Sequence, residues 1–261
     1  MTISSPLTSK TVAWREILGV PVAALGWEEA LAVLGARIVN GQFVRVGWLN
    51  AHNANLMRQN PEYRSVLDEF IILPDGVGVD LASKMLHGMQ FPANLNGTDF
   101  TPALLQSIAK PLRVGLLGAR REAAEMAAGH FKEIAPQHDF RVIADGFFKP
   151  ADEPRVLADI ADYHPDILLV AMGVPRQELF IAKCLTPRHC TAAIAVGALF
   201  DLATGAVPRA PVWMRNLRLE WLFRLWQEPG RLWRRYIVGN PLFVLRVLRD
   251  RLSGASGGRS A

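Results

Sequence analysis

Cysteine is nearly missing from this chain: Cys184 and Cys190 are its only two among 261 residues. A disulfide framework is excluded at that number, and the usage fits a reducing cytosol. With His189 the two thiols make three closely spaced donors, but no paired Cys-x-x-Cys spacing supplies a fourth, so a zinc centre has little support. No apolar run approaches the roughly 18 residues that would span a bilayer. Met1–Lys10 is polar and lacks the apolar core of a signal peptide. A spanning helix is thereby disfavoured, whereas a chain lying on a membrane surface is not. Nucleotide and hydrolase signatures are also missing. There is no Walker A sequence, Gly76-Val-Gly78 lacks the third glycine of a dinucleotide fingerprint, and no Gly-x-Ser-x-Gly elbow occurs. These absences count against an ATPase and against a Rossmann oxidoreductase.

Lysine is absent from the last stretch, Gly205 to Ala261, and what replaces it is informative. That stretch holds eleven arginines against Glu220, Glu228 and Asp250, a balance of +8. The whole chain carries +5, so residues 1–204 carry −3. Trp213, Trp221, Trp226 and Trp233 also fall there, four of the seven tryptophans. A mildly acidic body with a basic, Trp-rich tail calls for a partner. Half the residues are hydrophobic, enough for one large core with or without an appendage. Pro208 and Pro211 mark the break, giving an expected body over 1–207 and a helical appendage over 208–261. The end of the appendage, Ser253 to Ala261, reads as disordered.

Within the body, apolar runs alternate with helical spacing. Ile17–Leu25 reads as a strand or hairpin, Trp27–Val39 as a helix and Phe43–Leu49 as a strand. Ala54–Asn60 and Pro61–Asp68 read as short helices, with Pro61 suited to a first turn. Phe70–Leu73 is a strand, followed by helices from Gly78 to Leu86 and from Phe100 to Ala109. Leu112–Leu117, Phe140–Ala144, Asp166–Ala171 and Ala192–Val196 are strands. Between them lie the helices Glu122–Ile134, Glu153–Tyr163 and Gln177–Cys184. Strands with continuous apolar runs, each followed by a helix, predict an α/β fold whose mostly parallel sheet is covered on both faces.

In such a sheet, ligands bind at the carboxyl ends of the strands. Phe70-Ile-Ile-Leu-Pro-Asp75-Gly76 delivers a carboxylate there, although Asp-Gly is equally a tight turn with a capping acid. Asn50, His52 and Asn53 follow another strand. Amides suit sugar hydroxyls because one group both donates and accepts, and an asparagine there could also be only a helix cap. Gly118 and the segment Gly173 to Gln177 follow two more strands, where glycines let backbone N–H groups approach a phosphate, or merely make tight turns. In the tail, Leu217-Arg-Leu-Glu-Trp-Leu-Phe-Arg-Leu-Trp226 interleaves apolar and basic residues at helical spacing. That pattern fits an anionic membrane interface better than core packing or a homo-oligomer contact, and better than nucleic acid.

Taken in order, Leu49-Asn50-Ala51, Pro74-Asp75-Gly76-Val77-Gly78, Gly97-Thr98-Asp99, Gly146-Phe147-Phe148 and Pro165 through Gln177-Glu178 resemble the WecG/TagA/CpsF family of bacterial glycosyltransferases (glycosyltransferase family twenty-six). The likeness continues through Val196-Gly-Ala-Leu-Phe-Asp201, Gly205 to Pro211 and Leu219 to Arg234, and it spans about residues 15–240. It implies a Rossmann-like body and a membrane-touching appendage that closes the active site. It also implies inverting transfer of a sugar from a UDP-sugar to a polyprenyl-diphosphate-linked saccharide, with no cofactor and no obligatory metal, at the inner face of the plasma membrane. The sugar would be N-acetylmannosamine, glucose or a uronic acid. A non-catalytic nucleotide-binding peripheral membrane protein is the alternative. Asp75 matches the proposed general base. Asn50, His52, Thr98, Asp99, Gly118, Gly173, Gln177 and Asp201 stand as substrate-binding candidates. Arg224, Arg231 and Arg234 match positions proposed to reach diphosphate groups. Two positions depart from the family pattern: Trp48 stands where a threonine is frequent, and Asn94 where an arginine is usual.

Overall fold

A computed structural model describes residues 12–205, 210, 211, 213, 214 and 220–257. Eight strands form one sheet: β1 (Trp14–Ile17), β2 (Val20–Ala23), β3 (Val44–Leu49), β4 (Ile71–Pro74), β5 (Arg113–Gly118), β6 (Asp139–Ala144), β7 (Ile167–Ala171) and β8 (Ala192–Ala195). Their order is β1-β2-β4-β3-β8-β7-β5-β6, and every pairing is parallel except the β1–β2 hairpin. β7 and β8 are buried at every position. This explains their unbroken apolar runs, because a central parallel strand is covered on both faces.

The helices divide between the two faces. One face carries α1 (Trp27–Val39), α5 (Gly97–Ser107), α6 (Arg121–Ile134) and α9 (Leu199–Ala203), whose Leu34, Phe100, Phe131 and Phe200 join one core cluster. The other carries α2 (Ala51–Met57), α3 (Pro61–Val66), α4 (Val77–His87), α7 (Glu153–Tyr163) and α8 (Arg176–Cys184). After β5 the chain crosses the first face to β6, and after β7 it crosses the second face to β8. The strand ends therefore open between β5 and β7, a topological switch point of the kind where ligands bind. β3 and β8 diverge in the same way, into α2 and α9. A cavity of about 390 Å³, with walls that include Leu34, Phe43 and Phe70, lies at the opposite edge of the sheet.

Beyond the body come α10 (Glu220–Gln227), α11 (Pro229–Trp233), a π-helical turn (Arg234–Val238) and the long α12 (Gly239–Gly257). α12 packs on α2 and α4, and its Phe243 and Val247 are buried in the second core cluster. Ser253 to Gly257 continues this helix, with the Ser253 hydroxyl donating to the Arg249 carbonyl at 2.9 Å.

Two helix starts differ from the sequence reading. α2 begins at Ala51 rather than Ala54, and α5 at Gly97 rather than Phe100, because Asn50 and Asn96 act as caps. Each accepts, at 3.0 Å, the N–H of the residue three positions on.

Candidate active site

The register of β3 on β4 builds the centre of the site. Leu49 pairs with Pro74, so the residues that follow, Asn50 and Asp75, emerge side by side at the sheet edge. The Asp75 N–H donates to the Leu49 carbonyl at 2.9 Å, and Asn50 Nδ2 donates to Asp75 Oδ2 at 3.0 Å. Asn50 Oδ1 is already committed to the Asn53 N–H as the cap of α2, which turns the amide nitrogen toward the carboxylate. Cap and site are thus one arrangement, and the two readings of Asn50 do not compete.

Behind Asp75 the chain is held from the side by residues 94–97. Gly76 adopts φ +91°, a conformation open to glycine, and its N–H donates to Asn94 Oδ1 at 2.8 Å. The Leu95 N–H donates to the Pro74 carbonyl at 3.1 Å, and the Trp48 indole N–H donates to the Leu95 carbonyl. A Cβ on Gly97 would lie 3.2 Å from the Trp48 ring. The two positions that depart from the family pattern therefore meet in one place, where they brace the loop beside Asp75. Thr98 and Asp99 form the first turn of α5, and Asn96 Nδ2 donates to Asp99 Oδ2 at 3.1 Å.

On the other side of the edge, Gly118 has a packing reason to be glycine. A Cβ there would sit 2.3 Å from the Ala171 carbonyl oxygen, where β5 and β7 close together. Gly173 and Gly197 end the loops after β7 and β8. Both donate their N–H groups to Gln177 Oε1, at 3.2 and 3.0 Å. Gln177 is almost fully buried, so it joins two strand ends from within. Asp201 lies on α9, directly after β8, and is half-buried. Cys184 faces Glu153, His189 is bonded to Thr186, and Cys190 is buried beside Arg45. Among the described residues no trio of potential metal ligands comes together.

The appendage reaches this edge through α2. Asn55 Nδ2 donates to the Gly239 carbonyl at 2.7 Å, and Arg246 Nη1 donates to Asn55 Oδ1 at 2.7 Å. Phe243 packs by Gly78, where a Cβ would lie 3.7 Å from its ring. One turn before Asn55 on the same helix is His52, and four residues before Gly239 is Arg235. His52 is driven down to about 4 by its burial and by the Arg235 charge, so its ring is neutral at physiological pH. Arg235 was not among the arginines singled out from the sequence, and its buried Nε has no hydrogen-bond partner. Nothing in the sequence separates it from Arg234, yet Arg235 is the more buried of the two. Arg234 is exposed, with its guanidinium over the Trp233 ring. Arg224 is half-buried on α10, and Arg231 lies on α11 with its side chain outside the described residues.

A carboxylate held by an amide at a sheet edge can accept a proton from a hydroxyl, and a neutral imidazole on the neighbouring helix α2 can hydrogen-bond a sugar. The model of the WecG/TagA/CpsF family of glycosyl transferases matches residues 15–257. The chain is similar to two curated bacterial proteins, each an N-acetylglucosaminyldiphosphoundecaprenol N-acetyl-beta-D-mannosaminyltransferase. One, from Bacillus spizizenii (strain ATCC 23059 / NRRL B-14472 / W23), is 35% identical over 199 residues, 76% of either chain. The other, from Bacillus subtilis (strain 168), is 34% identical over 182 residues, 69% of this chain and 68% of that one.

Proposed function

Because the chain belongs to the WecG/TagA/CpsF family of glycosyltransferases, we propose that it moves a hexose-type sugar from a UDP-sugar to a polyprenyl-diphosphate-linked saccharide, in the synthesis of a cell-surface polysaccharide. The observation that carries the reading is the Asn50–Asp75 pair at the adjoining ends of β3 and β4. Asp75 takes the proton of the acceptor hydroxyl as that oxygen attacks the anomeric carbon, and UDP leaves from the opposite face, so the configuration inverts. Asn50 orients the carboxylate, while His52 and the first turn of α5, with Thr98 and Asp99, offer polar groups to the sugars. The departing diphosphate gains charge, and guanidinium groups of the appendage compensate it in place of a metal. Arg224, Arg231 and Arg234 are the candidates from the sequence.

The assay is UDP release from a panel of UDP-sugars with a polyprenyl-diphosphate-linked acceptor. Release that needs the acceptor and survives EDTA is expected. Uridine nucleotide binding with no release from any donor would instead favour a non-catalytic binding protein.

The same reading puts the protein on the inner face of the plasma membrane. No described helix is long and apolar enough to cross a bilayer. The appendage exposes Leu222, Trp226, Trp233, Ile237 and Val238 among arginines, a surface suited to anionic headgroups. Changing Trp226, Trp233 and Ile237 together to serine is expected to cut co-flotation with phosphatidylglycerol vesicles by about tenfold or more. The thermal midpoint should hardly move, because these side chains are exposed. Flotation equal to the parent protein's would reject the membrane role.

A further inference from the structure

The first turn of α8 does more than begin a helix. Its three successive side chains lace together the loops that follow three strands. Arg176 Nη1 donates to the Gly146 carbonyl after β6 at 2.6 Å. Gln177 Oε1 takes the N–H groups of Gly173 after β7 and Gly197 after β8. The third, Glu178, accepts from Gln177 Nε2 at 2.9 Å through Oε1.

An amide side chain has nearly the same shape in either orientation, so its neighbours decide which end faces where. Two N–H donors on one side demand the oxygen. On the other side, Glu178 is the acceptor that holds the nitrogen. Glu178 is a costly residue for this position. It is 2% exposed, its Oε2 has no hydrogen-bond partner, and no described ion pair includes it. The nearby hydroxyl of Tyr63 is also buried and unpartnered. Burial pushes the carboxyl up to about 7. A leucine would remove the unpartnered Oε2 but leave the buried Gln177 Nε2 without its acceptor, so the place of the carboxyl is tied to holding that amide.

We propose that Glu178 is a positioning residue for the donor nucleotide: its Oε1 fixes the Gln177 amide, which holds the Gly173 and Gly197 loops in the spacing that admits a uridine diphosphate at the mouth between β7 and β8. The ligand identity rests on the glycosyltransferase reading. Glu178 acts through Gln177 and touches no reacting atom.

The test measures UDP binding by calorimetry and donor and acceptor KM in the full-length protein. Glu178→Gln keeps an acceptor oxygen toward Gln177 and should bind UDP within about twofold of the parent. Glu178→Leu should weaken UDP binding and raise donor KM by about tenfold, with acceptor KM unchanged. The readout is the split between donor and acceptor KM, which a merely structural loss, moving both, would not give. Gln177→Leu should lose as much, and the double variant no more than either single one, since both remove the same restraint. Glu178→Met serves the same comparison if Glu178→Leu does not fold. Unchanged UDP binding in the apolar variant, or additive losses in the pair, overturns the proposal. A parent protein that binds no uridine nucleotide overturns the donor assignment along with it, so the two failures are distinguishable.

Discussion

Asp75→Asn is expected to lower turnover by about two to four orders of magnitude, the range that a positioned general base contributes. The substitution is chosen for what it leaves alone. The introduced amide has the size of the carboxylate, and its oxygen can still accept from Asn50 Nδ2, the bond that now spans 3.0 Å. The Asp75 N–H to Leu49 carbonyl bond is backbone and stays. Gly76 keeps its left-handed conformation and its tie to Asn94. The variant should therefore fold, keep the parent thermal midpoint within a degree or two, and bind UDP normally. Only acceptance of the acceptor proton is removed. The measurement is the single-turnover rate of sugar transfer to the lipid-diphosphate acceptor. A rate within threefold of the parent would remove Asp75 from the role and send the search for the base to Asp99 or Asp201.

The second large effect is expected far from the chemistry. Phe243 is 1% exposed and packs by Gly78 and Ala51, between α4 and α2. Phe243→Ala should cost about 3–5 kcal/mol by loss of burial and creation of a cavity. In a chain of this size that corresponds to a fall of roughly 10 °C in thermal midpoint. The consequence for activity follows from what else α12 carries. Gly239 and Arg246 are bonded to Asn55, and Arg235, one turn before Gly239, is close enough for its charge to lower His52. When α12 loosens, that arginine and the restraint on α2 both go. Turnover should fall with stability, and limited proteolysis should cut within residues 228–240. Leu252→Ala is the control: Leu252 lies on the same helix but is exposed, so both measurements should stay near parent values. Full activity in a folded Phe243→Ala protein would show that docking of α12 is not needed for catalysis.

Much of the framework could be read from residues alone, for identifiable reasons. Central parallel strands are apolar on both faces, so β7 and β8 read as unbroken runs and β3 and β5 as runs interrupted only by Arg45 and Arg113. α1 and α7 matched their expected bounds because apolar spacing and clear ends agree there. The spacing starts α2 three residues late, because Asn-Ala-His-Asn reads as a loop without the Asn50 cap bond. α9 has no sequence signal, because five residues after a strand are too few to show a helical period. The tail shows the limit most plainly. Phe243 and Trp226 look alike in a basic, aromatic sequence, yet one is buried in the core and the other is 79% exposed.

The sequence by itself determined the parallel α/β sheet and an aspartate at the end of a strand, because apolar periodicity and turn chemistry are local properties; it determined the family through motifs matched in order along the chain. Tertiary structure alone decided which polar residues share that edge. Asn50 lies 25 positions from Asp75, and only the β3–β4 register sets them side by side. Gln177 could have turned outward to a ligand; the N–H groups of Gly173 and Gly197 draw it inward. Arg235 gives no sign in sequence of its place; the docked α12 brings it close enough for its charge to lower His52. A side-chain amide or guanidinium has the same chemistry in a cap, a brace or a binding site. What separates these roles is the neighbour supplied by a distant part of the chain, and local pattern does not encode that neighbour.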